Sequence, residues 1–383
     1  MQDIGLYIHV PFCATKCGYC DFYSHAPAPG AFDPLVDALL RELETAVDGR
    51  DYRLETIFVG GGTPTLLPPR ALERLFRRLA DLVERDRPLE FTVEANPASL
   101  NDTKATILRA CGVSRISMGA QSFHSHELRT LDRIHSPADI APSAEIIHRA
   151  GFPHFNLDLI FGIPGQTPDS WAESIRRAVE LKPDHLACYG LTYEPQTPLR
   201  ERLELRLIRP VSDDFEAGLY AVGVQHLADA GFAQYEISNF AKPGAESRHN
   251  LRYWRNQPYV GLGPSAASYL AGQRWRNVPD TAEYVRRVLV GDSAGIEHER
   301  LSPLERAGET AMLQLRLLEG IDCARFQAET SFDPHLLFAE ALERHRAEGL
   351  LEVTAERIAL TPAGRLVGDS IIIDFLSPEA ALQ

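Results

Sequence analysis

The chain has 383 residues, 44% of them hydrophobic, which is enough for one large core and a smaller second domain. Its formal net charge of −14 argues against a polyanionic partner such as DNA, because phosphate binding requires a basic surface. Six cysteines are too few for a disulfide framework, and we find neither a signal peptide nor a membrane-length apolar run, so we expect a cytoplasmic protein with reduced thiols.

The first predicted element is a strand through Tyr7, and three cysteines follow it in a short loop, at Cys13, Cys17 and Cys20. Three thiolates can each hold one iron of a cubane [4Fe-4S] cluster, whereas an electron-transfer cluster takes four cysteines and a structural zinc takes four Cys or His ligands. The loop therefore predicts a cluster with one open iron, a layout similar to that of the radical S-adenosylmethionine (SAM) proteins. Two alternatives stay open, namely three reduced core cysteines or a zinc site completed by His9 or His25.

Six apolar, β-branched runs alternate with amphipathic helices in the first half of the chain. The runs lie near Tyr7, Thr56, Phe91, Arg115, Phe155 and His185. The first connecting helix has Asp33 as its predicted N-cap and presents Leu35, Leu39 and Leu43 on one face. Such strands and helices indicate a parallel sheet covered by helices. The predicted fold is α/β, a partial (β/α)6 barrel that stays open where two units are missing.

Glycines and polar residues stand at the ends of successive predicted strands. In chain order they are Gly61, Gly62, Thr63, Glu94, Gln121 and Asp158. Chemistry in such barrels sits at the C-terminal ends of the strands, so these residues and the cysteine loop should converge on one mouth. Any one of them alone is better explained as a cap or turn residue, but their succession favours a shared site.

The last part of the chain has a different pattern, in which helices are followed by a hairpin. Ser302 and Glu305 form a capping box, and Gly320 is expected to end the helix. The run LLEVTAERIALT predicts a hairpin, and a final helix begins at Pro362. We therefore predict a helical, winged-helix-like domain.

Three regions follow from these patterns. They are a partial barrel over 1–210, a connecting segment over 211–299 and the winged-helix-like domain over 300–383. From residue 301 onward the chain carries fourteen acidic residues against seven arginines, and this net charge of −7 argues against DNA reading.

Ordered motifs along the chain carry a family resemblance. They are YIHVPFC, the cysteine triad, GGGTPT at Gly60, EANP at Glu94, GAQS at Gly119 and DLIFGIPGQT at Asp158. Together they resemble the oxygen-independent coproporphyrinogen III oxidase group of radical SAM proteins, and most closely its heme chaperone branch. The resemblance runs from Tyr7 into the C-terminal domain.

The resemblance implies which side chains hold the cofactors. The cluster ligands would be Cys13, Cys17 and Cys20. The residues around SAM would be Tyr7, Tyr19, Gly61, Gly62, Thr63, Glu94, Gln121, Arg133 and Asp158. In this set the glycines let the backbone approach the methionine amino group, the acids and the glutamine bind the ribose hydroxyls and the amino group, and the arginine suits the SAM carboxylate. The two tyrosines would pack beside the cluster and the adenosyl group.

Two features separate the branches of this group. The oxidase continues the motif with a fourth cysteine two residues after the third, and this chain has Phe22 there. The oxidase also carries an N-terminal extension that contacts the porphyrinogen, whereas the first cluster cysteine here is residue 13. Both features favour the chaperone branch.

A basic and aromatic segment spans residues 242–277. It holds six cationic residues against Glu246 alone, a local net charge of +5, interleaved with five Tyr and Trp rings. Flat rings beside guanidinium groups suit a macrocycle with propionates. Within the segment, HNLRYW matches a His-Asn-x-x-Tyr-Trp signature that is linked to heme binding in the chaperone branch, and His249 is the predicted axial iron ligand. The alternatives are a packing element between barrel and tail, or iron ligands among His124, His126 and His135.

The predicted function is that of a heme chaperone, which binds heme, a [4Fe-4S] cluster and SAM and delivers heme to hemoproteins such as respiratory enzymes. Membrane-associated recipients would require transient contact with membrane proteins. A homodimer stays open, and nucleic acid is not expected as a partner. The alternative is a radical SAM enzyme of porphyrin metabolism, an oxygen-independent coproporphyrinogen III oxidase.

Overall fold

Six parallel strands form the centre of the sheet in this computed structural model, which describes residues 2–47 and 52–376. They are β1 (Gln2–Val10), β2 (Tyr52–Gly61), β3 (Glu90–Ala95), β4 (Arg115–Gln121), β5 (His154–Phe161) and β6 (His185–Gly190). Each strand pairs in parallel with the next one along the chain. The six predicted strands and the α/β class are confirmed.

Helices connect these strands. They are α1 (Phe32–Val47), α2 (Pro69–Asp86), α3 (Asp102–Ala110), α4 (Ser125–Thr130), α5 (Ile140–Ala150) and α6 (Pro168–Glu180), with short 3-10 turns at Pro64–Leu66 and Pro137–Asp139. Helix α1 buries the predicted face of Leu35, Leu39 and Leu43. It begins at Phe32, two residues earlier than predicted, so Asp33 lies in its first turn rather than at the N-cap. Phe32 packs edge-to-face on Phe12 with ring centroids 5.3 Å apart, and this contact stabilises the earlier start.

The segment between the sixth strand and residue 300 extends the same sheet on both sides. Its elements are α7 (Pro198–Glu204), α8 (Asp213–Asp229), β7 (Ala233–Gln234), β8 (Asn239–Ala241), α9 (Arg248–Trp254), β9 (Tyr259–Leu262), β10 (Ala267–Leu270), β11 (Gln273–Asn277), α10 (Thr281–Val290) and β12 (Gly295–Glu299). The sheet order is β12-β11-β10-β9-β1-β2-β3-β4-β5-β6-β8-β7. Strand β9 lies parallel to β1, so the parallel set has seven strands rather than the six predicted. Within the described residues the outermost strands do not pair with each other, and the barrel is open, as predicted. The boundaries at residues 210 and 300 stay predictions.

The C-terminal region has its own core and a small antiparallel sheet. Its elements are α11 (Pro303–Gln314), β13 (Ile321–Asp322), α12 (Cys323–Thr330), α13 (Pro334–Leu337), α14 (Ala339–Ala347), β14 (Leu351–Val353), β15 (Arg357–Leu360), α15 (Pro362–Leu366) and α16 (Gly368–Ile372), followed by a 3-10 turn at Ile373–Phe375. The capping box on α11 and the hairpin of β14 and β15 are confirmed.

Helix α11 ends before Gly320, contrary to the sequence prediction. The chain leaves the helix after Gln314 because it pairs with the barrel: the backbone amide of Ile237 donates to Arg316 O at 3.2 Å, and that of Leu318 donates to Tyr235 O at 3.0 Å.

In the described ranges no helix combines the length and apolar character that a bilayer crossing needs.

The start of helix α9 is fixed to the barrel by a buried ion pair. Glu90 on β3 and Arg115 on β4 approach to 3.1 Å, and both side chains are almost fully buried. The Glu90 carboxylate also accepts hydrogen bonds from the backbone amides of Arg248 and His249, each at 3.1 Å. A carboxylate at a helix N-terminus satisfies amides that have no partner within the helix. HNLRYW is therefore attached to the N-terminal ends of the barrel strands.

Candidate functional site

The cysteine loop leaves β1 at the mouth of the barrel. Its two ends are tied together, since Cys13 N donates to His25 O at 3.0 Å and His25 N donates to Pro11 O at 2.9 Å. All three cysteines are free thiols and half-buried. Burial raises the pKa of Cys20 to about 11 and also raises that of Cys13. The thiols of Cys13 and Cys20 are thus protonated in the free protein at neutral pH, and a bound metal would deprotonate them.

The loop suits a cluster better than a single ion. Across residues 2–47 and 52–376, no group of three or more His, Cys, Asp or Glu side chains is arranged to hold one metal ion. A cubane cluster binds each thiolate to a different iron, so its ligands need not meet at one point. The proposed zinc ligands are engaged elsewhere: His9 Nε2 lies 2.8 Å from Tyr23 O, and His25 Nε2 lies 2.8 Å from the Thr281 hydroxyl.

Arg133 lies at the rim beside the cysteine loop. Its Nη1 donates to Cys17 Sγ at 3.4 Å, and its Nη2 donates to Gly119 O and Asn96 Oδ1, both at 2.6 Å. The guanidinium is half-buried and joins three parts of the mouth. A fixed cation at this place favours thiolate and carboxylate anions, and the SAM carboxylate is the partner that the family resemblance implies for it.

The glycine loop after β2 is braced against the chain that leads to the cysteines. Gly62 N donates to Val10 O and Thr63 N donates to Phe12 O, both at 2.8 Å. A Cβ at Gly62 would lie 2.7 Å from both carbonyl oxygens, so this approach requires glycine. An ammonium group only donates hydrogen bonds, so the amino group of SAM would bind oxygen atoms of this loop.

Glu94, Gln121 and Asp158 line one cavity of about 470 Å³ inside the barrel. Glu94 Oε2 accepts from Gly61 N at 2.9 Å, and burial, reinforced by the nearby Asp158 carboxylate, raises the pKa of Glu94 to about 8. Burial also raises the pKa of Asp158, whose Oδ1 accepts from Asn156 Nδ2 at 2.7 Å. Gln121 has a backbone φ of +64° and a buried Oε1 atom without a hydrogen-bond partner. An acceptor without a partner and two buried carboxyl groups fit a cationic ligand with several hydrogen-bond donors, as SAM is.

The two tyrosines assigned to the cofactors occupy different walls. Tyr19 lies within the cysteine loop, between Cys17 and Cys20, and lines the cavity. Tyr7 lies on the wall of β1 and β2, where its hydroxyl is 2.9 Å from His9 Nδ1 and its ring is 6.1 Å from that of Phe58. The structure thus brings Tyr19 to the cavity and places Tyr7 in the wall behind Glu94.

His249 is buried between α9 and strand β2. Its Nδ1 lies 2.8 Å from Thr56 Oγ1, its Nε2 lies 2.9 Å from the Tyr253 hydroxyl, and its ring stacks on Phe58 at 5.1 Å. Burial lowers the pKa of His249 to about 3, so the ring is neutral. Both ring nitrogens of His249 thus have hydrogen-bond partners, which fits the alternative that HNLRYW is a packing element between barrel and tail. Iron could bind to His249 only if one of these two hydrogen bonds breaks.

Most arginines of the basic segment already have carboxylate partners from outside it. Arg252 pairs with Glu55, Arg255 with Glu319 at 3.0 Å, Arg274 with Glu309 and Arg276 with Glu297 at 2.7 Å. The local excess of positive charge is thus used in packing. Only Lys242 and Arg248 of the six cations are exposed at the surface.

Asn96, Asn156 and His185 belong to the site and were missed in the sequence. Asn96 joins the glycine loop to the rim, because its Nδ2 donates to Thr63 Oγ1 at 2.7 Å while its Oδ1 accepts from Arg133. Asn156 Oδ1 lies 2.6 Å from His185 Nδ1 beneath the acids. The available signal was spacing. Asn156 stands two residues before Asp158 on the same face of β5, and Asn96 follows the end of β3, two residues after Glu94.

Two sequence families match the chain. The Radical SAM superfamily matches residues 7–178, which include the cysteine loop and the strands that carry Glu94 and Asp158. The HemN C-terminal domain matches residues 301–367.

Relatives match over nearly the whole chain. The heme chaperone HemW of Mycobacterium tuberculosis (strain H37Rv) is 38% identical over 97% of this chain and 94% of its own length. HemW of Escherichia coli (strain K12) is 35% identical over 98% and 99%, and the mitochondrial radical S-adenosyl methionine domain-containing protein 1 of Mus musculus is 31% identical over 97% and 87%.

A solved structure has the same fold. Coproporphyrinogen III oxidase (HemN) of Escherichia coli, a radical SAM enzyme, superposes with a TM-score of 0.82 and 24% identity over 98% of this chain and 90% of the other. At that identity the likeness shows the fold alone. The full-length relatives together with the cysteine loop place the chain in the radical SAM superfamily, as a member of the HemW family.

Proposed function

We propose that this chain is a heme chaperone that holds a [4Fe-4S] cluster and SAM in its barrel, binds heme and delivers it to hemoproteins, respiratory enzymes among them. The observation that carries the proposal is the likeness of nearly the whole chain to curated heme chaperones, through both the cysteine loop and the C-terminal domain. Membership of the radical SAM superfamily implies the cluster and SAM. Heme binding and delivery are the proposed part.

The residues at the mouth support cofactor binding. Cys13, Cys17 and Cys20 would ligate three irons, and the cluster, when bound, supplies an open iron for SAM and an electron for cleavage of the sulfonium. Arg133 lies beside Cys17, where it would face the SAM carboxylate. Gln121 offers a free buried acceptor to a donor group of SAM.

Phe22 supports a chaperone over an oxidase. Its side chain replaces the fourth cysteine of the oxidase motif and is 61% exposed at the cavity. A phenyl ring supplies no thiol for chemistry or ligation. An anaerobic assay with SAM, a reductant and coproporphyrinogen III tests this directly: we expect no protoporphyrinogen IX, and turnover would overturn the chaperone function.

Heme delivery is tested by measuring the transfer of hemin from this protein to an acceptor that lacks heme. Anaerobically reconstituted protein loaded with hemin is mixed with apomyoglobin, and the Soret band is followed as the acceptor fills. We expect transfer faster than from a serum albumin control at equal heme loading. If the wild-type chain does not bind hemin at all, the proposal is wrong.

The cytosol is the proposed site of action, because cluster thiolates require a reducing compartment. Membrane-associated recipients would be met by transient contact. Affinity isolation from cells under anaerobic conditions, followed by identification of co-purifying hemoproteins, tests the recipients. Light scattering with and without the cluster tests whether the chain forms a homodimer.

A further inference from the structure

A second cleft lies between the barrel and the C-terminal region. Its volume is about 540 Å³, and it is bounded by the end of β6, the first turn of α8 and the chain from α15 into α16. Ligand sites commonly occur at domain interfaces and have volumes in this range. None of the residues assigned to the cluster, to SAM or to heme lines this cleft, and its lining is mostly polar. Its occupant is therefore a different and more polar molecule.

Arg365 brings an unbalanced positive charge to the cleft. Its Nη1 donates to the neutral Gln234 Oε1 at 2.7 Å, and its buried Nε has no hydrogen-bond partner. In the part of the chain that the structure describes, no Asp or Glu side chain forms an ion pair with this guanidinium. A half-buried cation without a counter-ion favours the binding of an anion.

Arg316 is a second cation from the C-terminal region. Its guanidinium lies 4.8 Å from the ring centroid of Trp254, and this cation–π contact fixes its position. Arg316 pairs from Nη1 with Asp369 at 3.2 Å, but the Asp369 side chain is 92% exposed, so the ion pair is weak. A ligand carboxylate can thus compete for Arg316 as well as for Arg365.

Glu216 brings an unpaired acid from the barrel side of the cleft. It lies in the first turn of α8, and a Cβ at Gly190 would lie 2.6 Å from its Oε1, which seats the carboxyl on the last residue of β6. Among the described residues no donor hydrogen-bonds this carboxyl and no cation pairs with it. Burial, reinforced by the nearby Asp213, raises the pKa of Glu216. An ammonium group would supply both the missing donor and the missing charge.

The unpaired charges face one cleft without contacting each other. No ion pair joins either arginine to Glu216 within the described ranges. Between the two charged sides, Phe161, Tyr220 and Ile237 supply the apolar part of the lining. The complementary ligand carries an anionic group, a cationic group and a short apolar body.

We propose that this cleft binds a free α-amino acid with an apolar side chain. Arg316 and Arg365 bind its carboxylate, and Glu216 binds its ammonium group. Phe161 and Tyr220 cover its side chain. The inference goes beyond the heme chaperone function and does not depend on it.

Calorimetric titration of the full chain with three probes tests the site. L-leucine carries both charges, L-leucinamide keeps only the ammonium group, and 4-methylpentanoate keeps only the carboxylate. We expect leucine to bind at least about tenfold more tightly than either singly charged probe and to raise the unfolding temperature. If leucine binds no more tightly than these two probes, the cleft is not an amino-acid site.

Two variants separate the charged sides of the cleft. Arg365→Gln should bind leucine and 4-methylpentanoate about tenfold more weakly and leave leucinamide binding unchanged, whereas Glu216→Gln should weaken leucine and leucinamide and spare 4-methylpentanoate. A folding defect weakens all three probes alike, so it cannot produce these opposite patterns. The matched controls are Arg357→Gln, where the arginine pairs with Glu352 outside the cleft, and Glu145→Gln at an exposed position of α5. Wild-type leucine affinity in both cleft variants, or equal losses for all three probes, would overturn the proposal.

Discussion

Arg133 donates a hydrogen bond from Nη1 to the sulfur of Cys17 at 3.4 Å, across 116 positions of the chain. The same guanidinium bonds Gly119 O and Asn96 Oδ1. A single cation therefore links the cysteine loop to strand β4 and to the chain after β3, and we propose that it binds the carboxylate of SAM.

Replacing Arg133 by Gln should weaken SAM binding about 10- to 100-fold while the cluster absorbance is kept, because the cation is lost and the thiols are not. Equilibrium binding of radiolabelled SAM to reconstituted protein measures this. Arg129→Gln, an exposed position on α4, is the control and should bind SAM like wild type. Wild-type SAM affinity in Arg133→Gln would remove Arg133 from the site.

SAM affinity should rise with pH up to about 8. Glu94 has a pKa of about 8 in the free protein and faces Asp158, Tyr7 and Tyr253, so at pH 7 it is mostly protonated. A cationic ligand favours the carboxylate, and binding then releases a proton. We expect the dissociation constant to fall several-fold from pH 6.5 to 8 and to level off above. A Glu94→Gln variant should lose most of this pH dependence of SAM binding. If the variant keeps the same pH dependence, a group other than Glu94 is responsible for it.

The same carboxyl makes a prediction for stability without ligand. A folded-state pKa raised from 4.5 to about 8 means that the stabilising contribution of protonated Glu94 is complete below pH 4.5 and is lost as pH rises through 8. At pH 8.5, Glu94→Gln should therefore raise the free energy of unfolding of the ligand-free chain by roughly 2–4 kcal/mol, with little difference at pH 5. Urea unfolding at both pH values checks this, with exposed Glu145→Gln as control. An equal effect at the two pH values would contradict the raised pKa.

His249→Ala should lower the free energy of unfolding by about 2–4 kcal/mol, because it empties a buried position and leaves the Thr56 and Tyr253 hydroxyls unpaired. Urea unfolding of the ligand-free chain measures this, and His226→Ala on the exposed side of α8 serves as control. The Soret band of the hemin complex should stay at the wild-type position. A shifted Soret band with unchanged stability would restore His249 as the iron ligand.

Features within one stretch of chain could be predicted from the sequence, and features that depend on distant partners could not. The parallel strands follow from local apolar runs, and the cysteine spacing lies within eight residues. His249, in contrast, is defined by Thr56, 193 positions away, and the charge of Arg274 is neutralised by Glu309 from the C-terminal region. The net charge counted over residues 242–277 leaves out Glu309, so this count did not show that Arg274 is neutralised. Strand β9 escaped prediction because its four residues form a parallel strand only beside β1.

The central claim is that Cys13, Cys17 and Cys20 hold a [4Fe-4S] cluster whose open iron binds SAM. The most direct measurement is electron paramagnetic resonance of the anaerobically reconstituted and reduced protein, recorded with and without SAM, for wild type and Cys17→Ser, with Cys188→Ser as control. We predict a [4Fe-4S] signal in wild type and in the control that changes when SAM is added, and no such signal in Cys17→Ser. A wild-type protein that carries zinc, or a cluster signal that SAM leaves unchanged, would contradict the account.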